Sequence, residues 1–246
     1  FWLGCAYHEG EKQPPAIRSY LEAVRLNPDH EAAHRHLGLA FHQVGDLAKS
    51  VANYERALSL RPGQPAVVAN LGAVYQQLGE TDRAADCYRR ALSGDPTYAP
   101  AHYNLGTLCL NQARLQQAVE HFKRALTHQP QHLNALGNLG RTHQRLGHPD
   151  KAMWFYDKAL SINADQPVIR TNRATMLLLK GRWEAGWPEY EWRFRQPHRQ
   201  RIYPHPPAAP RWQGEPFNNK TLLIHSEQGI GDALQFTSGE KKVAFL

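Results

Sequence analysis

Leu-Gly pairs recur along the chain at Leu3-Gly4, Leu37-Gly38, Leu71-Gly72, Leu105-Gly106 and Leu139-Gly140, each 34 residues after the one before. Other positions keep the same register. Four residues after each Leu stands Tyr7, Phe41, Tyr75, Cys109 or His143. Then come a small residue (Ala16, Ser50, Ala84, Ala118, Ala152), an aromatic ring (Tyr20, Tyr54, Tyr88, Phe122, Tyr156) and an alanine (Ala23, Ala57, Ala91, Ala125, Ala159). The spacing predicts two helices per unit. Leu37, Gly38 and Phe41 lie at i, i+1 and i+4, on one face of a first helix. Ser50, Tyr54 and Ala57 form the matching face of a second. The Gly lets the paired helix approach, and the small residues leave room for the ring. Gly45, Gly79, Gly147 and Gly181 are placed to end first helices. Pro28, Pro62, Pro96 and Pro130 close four units, and Ala164 closes the fifth. No hairpin of this kind buries its apolar face alone, so neighbours must stack into a solenoid with a concave inner face.

This pattern resembles the tetratricopeptide (TPR) repeat family over residues 1 to about 166. The resemblance implies an all-α, right-handed superhelix. Phe1 takes the fifth position of its unit, which predicts a first helix without its opening turn, in a chain cut from a longer one. A sixth, divergent unit runs from about Pro167 to Arg195, with Arg173-Ala174 where Leu-Gly stood.

Rotation by about 100° per residue puts positions 2, 6, 9 and 13 of each first helix opposite the core. Position 6 is Asn70, Asn104, Asn138 and Asn172 in four successive units, and His36 and Trp2 in the two before them. A carboxamide offers an acceptor and two donors, which match the N–H and C=O of a peptide bond. A row of them is expected to clamp an extended backbone, with Arg35, Tyr103 and Arg141 supplying side-chain preference. O-GlcNAc transferases are similar here, with an asparagine ladder along the inner surface of their TPR array. The plainer alternatives are inheritance by duplication and hydrogen bonding between adjacent helices.

In the sixth unit, Trp183, Trp187, Tyr190 and Phe194 are spaced as one helical face, which predicts core packing that caps the solenoid or docks the next domain. A proline-rich connector follows, Tyr203 to Trp212. Thr221 to His225 then reads as a buried strand, 226–232 as a glycine turn and Ala233 to Phe236 as the start of a helix, a Rossmann-like opening. Lys242 to Leu246 has the pattern of a second strand. The order of TPR array, Glu189-Tyr-Glu-Trp-Arg193, Trp212-x-Gly214-Glu215 and Glu227 to Asp232 looks like bacterial TPR proteins that carry a heptosyltransferase-like domain. That resemblance implies Asp232 as the catalytic base that takes the acceptor's proton. Read alone, an Asp there equally serves the dipole of the helix behind it. The expected organisation is a TPR array over 1–200, a linker over 201–218 and a truncated glycosyltransferase-like Rossmann start over 219–246. The nucleotide-sugar half of such a transferase is missing, so this polypeptide is not expected to transfer sugar alone. A nucleotide-sugar donor would enter only with a full transferase domain; no other cofactor is implied.

Composition changes the picture little. The net charge is +7, but residues 170–201 hold eight Lys/Arg against three Glu, so the surplus sits at one junction. A local patch is not a binding stripe, and nucleic acid is not expected as a partner. Fourteen histidines include His30, His34 and His36, but no spacing brings together the three or four ligands of a zinc site. Cys5, Cys87 and Cys109 form no even disulfide set, which fits a reducing, cytoplasmic compartment. No apolar run approaches the roughly 18 residues of a membrane helix, so no membrane partner is expected. Two readings remain: a scaffold that holds a protein or peptide in its groove, and a transferase whose acceptor half begins here. A carboxylate clamp would need basic residues in adjacent units, and Arg35 and Arg141 are three units apart.

Overall fold

The 34-residue period becomes a series of helical hairpins. The computed structural model describes residues 1–9, 13–196, 222–224 and 243–245 of the 246-residue chain. Repeat 1 pairs α1 (Trp2–Glu9) with α2 (Gln13–Leu26), and repeat 2 pairs α3 (Glu31–Gln43) with α4 (Leu47–Leu60). Repeat 3 holds α5 (Pro65–Gln77) and α6 (Thr81–Gly94), and repeat 4 holds α7 (Ala99–Asn111) and α8 (Leu115–His128). Repeat 5 holds α9 (Leu133–Arg145) and α10 (Pro149–Ile162), and repeat 6 holds α11 (Pro167–Leu179) and α12 (Trp183–Tyr190). From α3 onward the first helices start at residues 31, 65, 99, 133 and 167, so the register of the sequence is the register of the fold. Pro65, Pro149 and Pro167 open helices, where the missing N–H costs nothing.

Each helix packs on the next, and first helices also touch one another: α3 with α5, α5 with α7, α7 with α9. First helices therefore line the inside of the curve. Within a repeat the two helices close through a glycine. A Cβ on Gly38 would lie 2.6 Å from the ring of Tyr54, and one on Gly140 would lie 2.5 Å from Tyr156. Gly4, Gly72 and Gly106 face Tyr20, Tyr88 and Phe122 in the same way. All five rings are fully buried. Ser50, the exception among the small residues, is buried too, and its Oγ donates to the Gly38 carbonyl at 2.7 Å. The turns between helices use positive φ: +82°, +82°, +74° and +70° at Gly45, Gly79, Gly147 and Gly181. The corresponding residue of repeat 4 is Ala113, at φ +59°.

Repeat 6 departs from expectation. Trp183 and Trp187 are 56% and 45% exposed and stand outside the core of the array, while Tyr190 and Phe194 are half-buried. The inward positions of α12 are Gly186 and Glu189 instead. Gly186 fits under Leu178, whose Cδ2 would lie 2.6 Å from an added Cβ. The helix ends at Tyr190 and the chain tightens into a 3-10 turn over Glu191–Arg195. That turn takes Phe194 out of the helical spacing, while Trp183 and Trp187 keep it on the exposed side of α12.

The chain divides after Gln196. In the second part, β1 (Leu222–Ile224) pairs in parallel with β2 (Val243–Phe245), Leu222 opposite Val243. The 201–218 connector, the 226–232 glycine turn and Asp232 lie outside the described residues.

Candidate ligand-binding face

Residues on first helices are numbered here by repeat position, with position 1 at Glu31, Pro65, Ala99, Leu133 and Pro167. Position 6 is half-buried in every one of these repeats, at His36, Asn70, Asn104, Asn138 and Asn172. Positions 2, 9 and 13 beside it are half-buried or exposed, so these four positions form the open stripe on the inside of the curve. Among the described residues, positions 2, 6, 9 and 13 of repeats 2 to 6 hold no Asp or Glu.

The members of the row are not equally free. The side chains of Asn104 and Asn172 make no hydrogen bond among the described residues. Asn138 Nδ2 donates to the Tyr103 hydroxyl at 3.4 Å, a long bond across to the preceding repeat that leaves its oxygen open. Asn70 points at Tyr54, whose buried hydroxyl lacks a partner in good geometry. Burial raises the pKa of that hydroxyl, and Asn70 and the Arg35 charge partly offset the rise. His36 is taken up by packing: its ring stacks on Tyr20 at 5.3 Å and meets Phe1 edge-on at 5.5 Å. Burial, then the Arg35 and His8 charges, lower its pKa to about 4, so it is a neutral ring at physiological pH. Tyr103 is likewise engaged, with its ring 4.7 Å from His132 and its hydroxyl on Asn138. His132 in turn caps α9, its Nδ1 accepting from Ala135 N at 3.2 Å.

The arginines of first helices divide sharply. Arg35 lies 3.7 Å from Glu31. Arg170 and Arg173 both reach Glu189, at 3.5 and 2.6 Å. Arg141, exposed at position 9 of repeat 5, faces no carboxylate among the described residues. Neither does Arg145, one turn on, whose Nη1 donates to the Leu110 carbonyl at 2.7 Å. Sequence reasoning had marked Arg141 but missed Arg145, although both fall on the open stripe. Two clefts lie elsewhere in the array and include no member of the Asn row. One, about 480 Å³, borders Arg173, Glu189 and Trp192; the other, about 640 Å³, lies over His102 and His121. Among the described residues no group of three or more His, Cys, Asp or Glu converges as metal ligands. No helix there is long and apolar enough to cross a membrane. The three cysteines are free, and burial raises the pKa of the Cys87 and Cys109 thiols.

Known proteins share this architecture. Protein FlbA of Caulobacter vibrioides is 36% identical over 74 residues, which span 30% of this chain and only 12% of FlbA. PilW, described as a widely conserved type IV pilus biogenesis factor, superposes with a TM-score of 0.70 at 24% identity, over 84% of this chain and 93% of PilW. YrrB, described as a TPR protein with an unusual peptide-binding site, superposes with a TM-score of 0.57 at 17% identity, over 73% of this chain and 92% of YrrB. At these identities the structural matches speak to the fold alone. Tetratricopeptide repeat family patterns match residues 65–131 and 97–165, and TPR repeat patterns match 4–45 and 40–79. With that coverage and six stacked hairpins, the chain belongs to the tetratricopeptide repeat family.

Proposed function

We propose that the inner, first-helix face of the array binds an extended segment of a partner protein. Asn104, Asn138 and Asn172 would hold its main chain, and Arg141 and Arg145 would favour an acidic side chain. The observation that carries this reading is a row of carboxamides at one register position, of which Asn104 and Asn172 have no hydrogen bond among the described residues. Polar side chains held half-open with their bonds unmade are available to a ligand, whereas interhelical Asn residues would have used them. The stripe's lack of carboxylates and its two arginines without acidic partners give the preference for acid. Asn70 and His36 contribute less, since Tyr54 and Tyr20 engage them. The likeness to YrrB, a TPR protein described by its peptide-binding site, supports a peptide as ligand.

The test is fluorescence anisotropy with labelled Ala/Thr-rich peptides, with and without a central Asp-Glu pair. Alanine at Asn104, Asn138 and Asn172 together should weaken both peptides about tenfold, the worth of one or two lost hydrogen bonds. Thermal stability should hold, because no core contact is removed. Arg141→Gln should weaken only the acidic peptide. Unchanged affinity in the triple variant would sink the reading.

A second reading makes the array the recruiting part of a glycosyltransferase of the heptosyltransferase-like or O-GlcNAc transferase-like kind, with Asp232 as base. What favours it is the parallel pairing of β1 with β2. Parallel neighbours need a crossover connection of roughly a dozen residues or more, the signature of α/β domains, and 225–242 is long enough for one. Calorimetric titration with a nucleotide-sugar tests for a donor site in this chain, and heat of specific binding would overturn the reading of a binding module alone.

A further inference from the structure

One contact recurs in alternate repeats, built each time from different chemistry. In repeat 2, His34 on α3 holds Nε2 3.0 Å from the Pro28 carbonyl and Nδ1 3.0 Å from Asn53 Oδ1 on α4. In repeat 4, His102 on α7 holds Nε2 3.1 Å from the Pro96 carbonyl, and its Nδ1 lies 3.3 Å from Nδ1 of His121 on α8. In repeat 6, Arg170 Nε donates to the Ala164 carbonyl at 2.6 Å, and its Nη1 lies 3.5 Å from Glu189 Oε1. Pro28, Pro96 and Ala164 share one register position, and Asn53, His121 and Glu189 share another. Repeats 3 and 5 fill the two side-chain positions with Val68 and Cys87, and with Leu136 and Phe155. Each polar contact ties both helices of one repeat to the turn leaving the repeat before it.

A proton affects the three differently. Asn53 Nδ2 donates to the Lys49 carbonyl at 2.9 Å, which holds its oxygen toward His34 Nδ1, so a proton added to His34 there meets an acceptor. Arg170 and Glu189 are drawn together by being charged. The histidine pair has less latitude. His102 Nε2 must carry hydrogen to donate to the Pro96 carbonyl, so a neutral His102 presents a bare Nδ1, and the Nδ1–H of His121 donates to it. One added proton, taken by His121 Nε2, leaves that bond in place but sets a charge beside a ring that is 4% exposed. A second proton sets two N–H groups and two like charges face to face.

The surroundings do not neutralise that charge. Asp82 and Arg89 reach the site from α6, Cys109 from α7 and Arg114 from the turn before α8. On α8 itself stand Glu120, Arg124 and His128, with Glu120 held by Arg124 at 2.5 Å, while Arg89 is tied to Asp86 at 2.6 Å. Neither ring is bonded to a carboxylate among the described residues. Burial, with Arg124 in support, holds both imidazoles below their ordinary range.

We propose that His102 and His121 form a proton-operated latch, which when neutral locks repeat 4 onto repeat 3 and when protonated releases that joint. Release would let the two halves of the array change their mutual angle. The inference stands whether or not the inner face binds peptide. The folded joint favours the unprotonated rings, so it is tight above the ordinary imidazole value of about 6.5 and loosens as pH falls below it.

The protein supplies its own controls. His121→Asn copies the contact of repeat 2, and His102→Leu with His121→Phe copies the apolar joint of repeat 5. Hydrogen exchange of the full chain, corrected for intrinsic rates, should be compared between about pH 8 and about pH 5. In the wild type the first turn of α7 should lose protection about tenfold more on acidification than the first turn of α5, which has an apolar joint and no side-chain cap. Both variants should abolish the difference; if the double variant fails to fold, His121→Asn decides alone. Equal behaviour of α7 and α5 in the wild type would overturn the latch. So would an acid response that persists in the variants, or ring protons of His102 and His121 that titrate independently at the ordinary value.

Discussion

Repeats 1 to 5 and repeat 6 close their helix pairs in opposite ways. In the first five a glycine on one helix admits an aromatic ring from the other, and the ring is fully buried. In repeat 6 Arg173 stands where leucine stood, and its guanidinium grips Glu189 with bonds of 2.9 and 2.6 Å while donating to Asp157 at 2.7 Å. Burial opposes the charge on Arg173, but the bonds from Glu189 and Asp157 outweigh it and its pKa is raised. The guanidinium of Arg170 lies 4.2 Å from the centre of the Trp192 ring, and that of Arg195 lies 4.1 Å from it. The difference shows that one hairpin outline can be closed by shape or by charge: the Gly-aromatic joint needs close approach and full burial, whereas repeat 6 holds its second helix by directional bonds to a partly exposed guanidinium. The Glu189-Tyr-Glu-Trp-Arg193 segment thus has a structural role within the array, centred on Glu189.

The largest expected effects come from breaking each joint in its own way. Gly140→Ala drives a Cβ to within 2.5 Å of the Tyr156 ring. It should cost about 3 kcal/mol, since overpacking outweighs the gain in helix propensity. Glu189→Gln removes the buried carboxylate from Arg173 and leaves it Asp157 alone. It should cost about 2 kcal/mol, less than a fully buried pair because the guanidinium is partly exposed. Urea unfolding measures both, and hydrogen exchange should place the second loss in repeat 6 alone. A neutral Glu189→Gln would mean that apolar contacts hold repeat 6 after all.

A subtler contrast sits inside the regular repeats. Tyr88 and Tyr156 donate their hydroxyls to Gln76 and Gln144, at 3.0 and 2.9 Å. Repeat 4 has Phe122 in place of the tyrosine, and the corresponding partner position holds Leu110, which is 1% exposed. The polar pair and the apolar pair are therefore alternative solutions to one site. Phe122→Tyr alone buries a hydroxyl against leucine and should cost about 1.5 kcal/mol. Adding Leu110→Gln should recover most of that loss, giving a coupling of about 1 kcal/mol in a double-mutant cycle. Additive costs would show that the two positions do not communicate.

The period made the hairpins legible, because Leu, Gly and aromatic positions that recur in register have few other physical explanations. It placed the first helices from α3 to α11 at their observed 34-residue spacing and put Asn104 and Asn172 on an open stripe. It did not show that His36 and Tyr103 are occupied by neighbouring rings, since their partners come from other repeats. The contacts of His34, His102 and Arg170 escaped for a related reason. Each partner lies 19 residues away, and its chemistry changes from repeat to repeat, so no motif repeats. Reading the two positions side by side down the repeats would have exposed them. The aromatic stripe of repeat 6 misled because helical spacing defines a face but not its direction: α12 turns Gly186 and Glu189 inward and leaves Trp183 and Trp187 exposed.

The smallest expected effect tests the turns. Four of the turns between paired helices place glycine at positive φ, whereas repeat 4 forces Ala113 to φ +59° at the same position. A left-handed alanine costs roughly 1–2 kcal/mol in steric energy, and glycine returns part of that through its larger loss of backbone entropy. Ala113→Gly should therefore stabilise the array by about 0.5 kcal/mol, and Gly147→Ala at the matching turn should destabilise it by a similar amount. No Cβ at Gly147 would meet any atom within 4 Å, so its substitution isolates the backbone term from packing. Opposite signs in thermal unfolding would establish that the turn, not the surrounding repeat, sets the preference. If both substitutions destabilise, Ala113 contributes something to repeat 4 that outweighs its strain.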